Sequence, residues 1–533
     1  MNRSESLARL GESFDVAIIG GGATGLGAAV EAASRGYSVA LFESVDFAKG
    51  TSSRSTKLVH GGVRYLAQGN IGLVREALRE RGRLRRNAPH LVRDLAFVVP
   101  AYDWWTGPYY GIGLKLYDVL AGKLKLGSSK LISRQAVIER VPTIEPEGLS
   151  GGVVYFDGQF DDARLAVTLA QTATDLGGVV VNHAPVVRLL KTGERVSGLV
   201  ARDELSGQEF EVRARTVINA TGVFADSIRT LDDANAKPIL EPSQGVHLML
   251  PREFLPLDTA LMVPKTDDGR VLFAVPWHER VIVGTTDTPV PSASLEPKPL
   301  EEEIEFLIEH AARYLAKDPT RADVLSVFVG LRPLVRPAKE EGNTATLSRD
   351  HSIFVSRSGL ITIIGGKWTT YRKMGEDVID RAAKVAELPE QPSRSADMGL
   401  HGRPSDEQTL PALEVERLYG SDWPHLQALA ATDPALTELL HPKLPFTRAE
   451  VLWAVRQEMA LTVEDVLSRR LRALIMDARA ALEAAPAVAR QMALELGRGS
   501  TWEEEQVAAF RVLAEAAVLT PIVSATPEAI TAV

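Results

Sequence analysis

DVAIIGGGATGLGAAVEAASRGYSVALFE, residues 15–43, packs an apolar run, a cluster of glycines, a helical stretch and a second apolar run that ends in an acid. Gly20, Gly22 and Gly25 form GxGxxG between Ile18-Ile19 and a helix, and Glu43 closes the second strand 18 residues after the last glycine. Each piece has a physical task. The first glycine permits a tight turn, the second lets backbone approach a pyrophosphate, and the third lets helix and strand pack closely. The unpaired N–H groups of the helix start face the phosphates, and the terminal acid can accept the ribose hydroxyls. The stretch reads as strand, turn, helix and strand at the start of a doubly wound sheet that holds a dinucleotide. NAD and FAD share the adenosine diphosphate half, so the motif alone does not choose between them.

Outward from this motif, 533 residues are too many for one ordinary core, and two or three domains are expected. With 45% hydrophobic and 24% charged residues the composition is that of a soluble globular chain. The absence of cysteine excludes disulfides, thiolate metal sites, iron–sulfur clusters and thiol catalysis, and no metal site is expected. The first residues, MNRSESLARLGES, lack the apolar stretch of a secretory signal, and no segment approaches the roughly 18 apolar residues of a spanning helix. Export by that route and a bilayer crossing are not expected. A net charge of -9 disfavours nucleic acid as a partner. Locally, however, Arg75, Arg79, Arg81, Arg83, Arg85, Arg86 and Arg93 face only Glu76, Glu80 and Asp94.

Strand-like runs recur at 153–156, 177–182, 216–222, 271–277, 280–287 and 360–366, with helical patterns between some of them, so the class is α/β with an added antiparallel region. From about Glu387 proline, serine and charge mark a connector, and beyond it apolar residues recur at helical spacing without a strand signal. TVINATG at 216–222 is a strand ending in a small-residue turn, suited to close over the dinucleotide with Ala220, Thr221 and Gly222.

At TSSRSTKLVHGGVRYL, residues 51–66, a resemblance enters. Together with GGGATG, YFDGQFDDARL, VINATG, GTTD, GLRPL, GGKWTTYRK and the tail EVLWAVRQEMALTVEDVLSRR, the chain closely resembles the FAD-dependent glycerol-3-phosphate dehydrogenases over nearly its whole length. The resemblance implies a Rossmann-like FAD-binding domain of the glutathione reductase type, amino-acid-oxidase-like, with an antiparallel-sheet cap and a C-terminal helical domain. The expected division is a discontinuous FAD-binding domain over 1–390, its cap mainly from about 93–155 and 240–330, a linker at 391–411 and the helical domain at 412–533.

The resemblance further implies FAD as cofactor and places Thr51, Ser52, Ser53 and Lys57 along its pyrophosphate, ribityl chain and flavin. Gly365, Gly366 and Lys367 precede a helix whose positive end, with Thr369 and Thr370, can stabilise charge on a reduced flavin. A phosphorylated secondary alcohol needs cations for its phosphate, a base for its hydroxyl proton and a hydride path. Arg64, Arg332 and Lys367 are the cations, with no assignment of which one meets phosphate and which the reacting oxygen. His60 and His247 are the candidate bases, His60 preferred, and Tyr65 and Thr286 shape the pocket.

The implied reaction oxidises sn-glycerol 3-phosphate to dihydroxyacetone phosphate. Membrane quinone is the expected acceptor, because no long insertion interrupts the cap. Tyr102, Trp104, Trp105, Tyr109 and Tyr110, followed by apolar residues at helical spacing beside Lys115, Lys123 and Lys125, suggest a peripheral membrane face. Placement is then cytoplasmic, on the inner face of the cell membrane. The alternatives are an oxidase using oxygen, another FAD-dependent amine or amino acid oxidase, and a flavin-fold adaptor without catalysis. Oligomeric state is not legible, a homodimer being one option.

Overall fold

Val16 and Ile18 point to one side of their strand and Ala17 and Ile19 to the other, and all four are buried. A strand buried on both faces belongs in the middle of a parallel sheet covered by helices. In the computed structural model Ser13–Ile19 lies at the centre of an 8-stranded sheet of that kind. The model describes the chain apart from residues 63–69, 104–105, 265, 268, 337–350 and 520–533, and only the backbone of 106–109 and 123.

In spatial order this sheet runs His351–Val355, Ile361–Gly365, Glu209–Asn219, Ser13–Ile19, Val39–Phe42 and Val179–Val181. The last five are parallel, and His351–Val355 adds an antiparallel edge. Val186–Thr192 and Arg195–Arg202 extend the first half of Glu209–Asn219 as an antiparallel hairpin. The helices Ala23–Ser34, Asp162–Asp175 and Tyr371–Val385 cover one face through Leu26, Val30, Leu165, Leu169, Val378 and Ile379. Leu199 of the hairpin and Val212 of Glu209–Asn219 cover the other, against Ala17, Ile19, Ala40 and Phe42.

A second, 10-stranded sheet runs Thr288–Pro289, Leu240–Pro251, Arg280–Gly284, Leu272–Trp277, Thr259–Val263, Val92–Ala101, Gly151–Phe160 and Leu58–Val59. Ser326–Val335 also pairs along Leu240–Pro251, and Lys130–Ser133 along Gly151–Phe160. Most neighbours are antiparallel, Thr259–Val263 beside Val92–Ala101 being a parallel pair. One face packs on the helix Glu301–Ala312 through Val98, Leu248, Val283 and Leu307. The other meets the C-terminal helices, where Trp277, Ile282 and Phe328 share a core with Leu467, Leu471, Met476 and Val488.

The connector after Val385 runs without long helices or strands to a short helix at Glu414–Arg417. The helices Trp423–Ala430, Arg448–Gln457, Ala478–Leu496 and Ser500–Ala516 follow. Among the described residues no helix is long and apolar enough to cross a membrane.

Candidate active site

Between the two sheets lies a cleft of about 1190 Å³. The parallel sheet builds one end. Gly20 leaves the central strand at φ +111°, and a Cβ there would stand 2.7 Å from the Ala220 carbonyl oxygen, so only glycine lets these two strand ends lie side by side. Gly22 caps the helix Ala23–Ser34 with no side chain of its own, and the Ala23 N–H donates to Ser52 Oγ at 2.9 Å. Gly25 sits behind the turn, where a Cβ would meet the Gly20 oxygen at 1.9 Å. Glu43 accepts the N–H groups of Gly21 at 2.7 Å and Val45 at 2.9 Å, and burial raises its pKa. Gly20, Gly22, Glu43, Ala220, Thr221 and Gly222 all line the cleft.

Further along, Gly365 and Gly366 take left-handed conformations ahead of the turn Trp368–Thr370 and the helix Tyr371–Val385. Gly365, Gly366, Lys367 and Thr369 line the same cleft as Thr51 and Ser52. The Trp368 indole N–H donates to the Ser52 carbonyl at 2.9 Å, joining the two segments.

The antiparallel sheet supplies the other end. Its register sets His247 between Gly284 on one neighbour and Phe328 on the other. The imidazole stacks on Phe328 at 4.7 Å, and its Nε2 is hydrogen-bonded to the Thr56 hydroxyl at 2.8 Å. Burial, and then the charges of Lys57 and Arg332, hold its pKa well below the usual histidine value, so the ring is neutral near pH 7. Arg332 donates from one nitrogen to the Gln244 carbonyl at 3.1 Å and Asp287 at 3.0 Å, and from the other to the Thr286 carbonyl at 2.9 Å. His60 lines the cleft from the opposite side, its backbone N–H donating to Thr369 Oγ1 at 3.2 Å.

The cleft thus gathers His60, His247, Thr286, Arg332 and Lys367. Arg64 and Tyr65 lie outside the described residues. Three residues placed along the cofactor by the resemblance do not line the cleft. Lys57 does not face the cleft: its fully buried ammonium donates to the Ser53 carbonyl at 2.8 Å and Asp162 at 2.7 Å, and burial lowers its pKa to about 8. Ser53 turns the same way, its carbonyl committed to that cation. The Thr370 hydroxyl donates back to the Lys367 carbonyl at 3.3 Å and is absent from the lining.

Sequence reasoning also passed over the residues that hold Arg332 and His247. Asp287 ends the quoted GTTD yet was not singled out, and Glu303, which accepts from Thr286 Oγ1 at 2.9 Å and from Gln244 Nε2 at 2.5 Å, carries no motif. Gly245 and Gly284 leave room. A Cβ on Gly245 would come within 2.4 Å of an Arg332 nitrogen, and one on Gly284 within 2.3 Å of His247 Cδ2. A glycine inside a strand pattern is the available signal for such close approach.

Comparison with known proteins agrees with this geometry. Residues 15–372 match the FAD dependent oxidoreductase family, and residues 361–507 match the C-terminal domain of alpha-glycerophosphate oxidase. Mitochondrial glycerol-3-phosphate dehydrogenases of Mus musculus and Homo sapiens are each 42% identical, the match spanning 93% of this chain and 72% of each relative. The chain belongs to the FAD-dependent glycerol-3-phosphate dehydrogenase family. Among solved structures, the glycerol-3-phosphate dehydrogenase from Bacillus halodurans complexed with FAD superposes with a TM-score of 0.79 at 28% identity, over 98% of this chain and 99% of that one.

FAD is therefore the cofactor, and the residues fit it. The side-chain-free helix start at Gly22 and the left-handed Gly365-Gly366 turn stand on one continuous cleft, long enough for an extended dinucleotide. Within this family site, Gly284→Ala is expected to push the His247 ring off its Phe328 stack. Overpacking of this kind costs about 1–3 kcal/mol. Turnover should fall by about one to two orders of magnitude while FAD stays bound, measured by steady-state kinetics beside the flavin spectrum.

Proposed function

We propose that the protein oxidises sn-glycerol 3-phosphate to dihydroxyacetone phosphate and delivers the electrons to a membrane quinone. The observation that carries this reading is the convergence of Arg332, Lys367 and two imidazoles on the FAD cleft, a cationic pocket with a proton acceptor beside it. Bound FAD supplies the acceptor for the hydride that leaves C2. Arg332, fixed by Asp287 and two carbonyls, presents a planar cation to an oxyanion of the substrate, and Lys367 adds a second charge. One of the two imidazoles on the cleft, His60 or His247, takes the hydroxyl proton as the carbonyl forms.

The acceptor and the membrane face belong to this proposal as well. Phe97, Tyr110, Leu114, Tyr155, Met262 and Phe273 give the cleft an apolar extension suited to a quinone ring. It runs to the helix Thr106–Ala121, whose Ile112 and Val119 are 76% and 74% exposed, near exposed Leu116 and Leu131. An apolar edge of this kind suits a bilayer interface better than water. The arginine-rich stretch supports it less. Arg81, Arg83, Arg85, Arg86 and Arg93 pair with Asp157, Glu80, Glu407, Asp397 and Glu414 of the chain itself.

Anaerobic addition of glycerol 3-phosphate should bleach the yellow flavin absorbance within seconds, and a soluble quinone should restore it without hydrogen peroxide. A colour that persists would overturn the activity. Peroxide formed stoichiometrically in air would replace quinone by oxygen, and failure to float with anionic vesicles at low salt would remove the membrane face.

A further inference from the structure

The loop Asp46–Lys57 lines the cleft with Lys49, Thr51, Ser52 and Thr56, and through Asp46, Lys49 and Ser53 it also meets Glu464–Arg472 of the C-terminal helical region. No residue after Met374 lines the cleft among the described residues. Yet this distant segment reaches the loop at three points. At the loop entrance, Asp46 accepts from Arg469 Nε at 2.5 Å and from both terminal nitrogens of Arg470 at 2.6 and 2.9 Å. Midway, Lys49 pairs with Glu464 at 2.5 Å. At its apex the Ser53 carbonyl accepts from Arg472 at 2.8 Å, and the same Arg472 nitrogen reaches Asp162, the partner of Lys57, at 2.8 Å.

We propose that Arg469, Arg470, Arg472 and Glu464 are positioning residues that hold the cofactor loop in its FAD-binding conformation, which gives the C-terminal helical region a part in flavin binding without contact to the flavin. Two features point beyond simple adhesion. Buried ion pairs contribute little net stability compared with apolar packing of the same volume, but they fix direction, because each oxygen must meet its own donor. Here the Ser53 carbonyl, turned toward Arg472 and Lys57, leaves the Thr51 and Ser52 side of the turn toward the cleft. Arg472 also holds a left-handed backbone at φ +64°, a conformation that a branched or long residue keeps only where its surroundings impose it. Apolar contacts such as Trp277 and Phe328 with Leu467 and Leu471 already join the C-terminal helices to the second sheet, so adhesion does not require these charges.

The test is FAD affinity, measured by fluorescence during reconstitution of the full-length apoprotein, so it stands apart from the substrate reading. Arg472→Gln and Glu464→Gln should each raise the FAD dissociation constant about tenfold. Arg472→Lys, which keeps the charge between Ser53 and Asp162, should recover much of it. Arg417→Met removes a bond to the Pro89 carbonyl that joins the same two regions away from the loop, and it should lower the apoprotein Tm while leaving FAD affinity unchanged. Should Arg472→Gln fail to fold, Glu464→Gln decides, since its side chain is 21% exposed and tolerates neutralisation. Unchanged FAD affinity in Glu464→Gln, or equal weakening in Arg417→Met, overturns the proposal.

Discussion

Arg332→Ala should yield a folded, yellow protein whose kcat/KM for glycerol 3-phosphate is lower by about two to three orders of magnitude. The expectation follows from what Arg332 touches. Its guanidinium is oriented by Asp287 and by the carbonyls of Gln244 and Thr286, so it meets a substrate without first having to be ordered. Removing it withdraws a charge from a bound anion and leaves Asp287 without its cation, and losing one member of such a pair costs about 2–5 kcal/mol. With a factor of ten for every 1.4 kcal/mol, the middle of that range gives the stated loss. Most of it should appear in KM, with the flavin spectrum unaltered. Arg332→Lys should recover little, because an ammonium cannot serve three fixed acceptors in one plane. Kinetics within about threefold of the wild type would remove Arg332 from the substrate pocket.

The second large effect is expected at Gly25. A methyl group there would lie 1.9 Å from the Gly20 oxygen, and both partners are backbone, so no side chain can swing aside. The helix Ala23–Ser34 must retreat from the strand Ser13–Ile19, and the N–H groups at its start move away from the pyrophosphate. Gly25→Ala should therefore purify without FAD, its flavin affinity reduced by more than about a hundredfold, and its Tm should drop by several degrees. Gly72→Ala provides the contrast, since nothing stands within 4 Å of the added carbon and neither quantity should change. A Gly25→Ala protein that retains stoichiometric flavin would show that the turn has more freedom than its packing indicates.

These two sites differ in how readable they were. The turn at Gly20–Gly25 is local: strand, glycines, helix and Glu43 lie within 29 residues, and the structure joins them by contacts as short in sequence as Gly21 to Glu43. The parallel strands of the first sheet were legible for the same reason, as apolar runs bounded by turns, whereas Val92–Ala101, Thr259–Val263 and Ser326–Val335 of the second sheet were not among the runs read as strands. Lys57 misled because its setting is not local. The resemblance places it along the cofactor, but its partner Asp162 comes 105 residues later. The arginines of the helix Ile71–Asn87 look like a free basic face until Asp397 and Glu407, within the connector, are brought against them. The glycines opposite His247 and Arg332 carried a signal that composition alone hides, since their meaning depends on strand register. Arg64 and Tyr65 stand as sequence-based expectations.

The bonds from Asp46 to Arg469 and Arg470 span 423 and 424 positions of the chain. During synthesis the Rossmann-like motif therefore leaves the ribosome more than 400 residues before the arginines that meet its neighbouring loop. Under the bracing role proposed for these arginines, flavin capture is a late event in biogenesis, and a chain cut short before Arg469 would carry an intact glycine motif but an unbraced cradle.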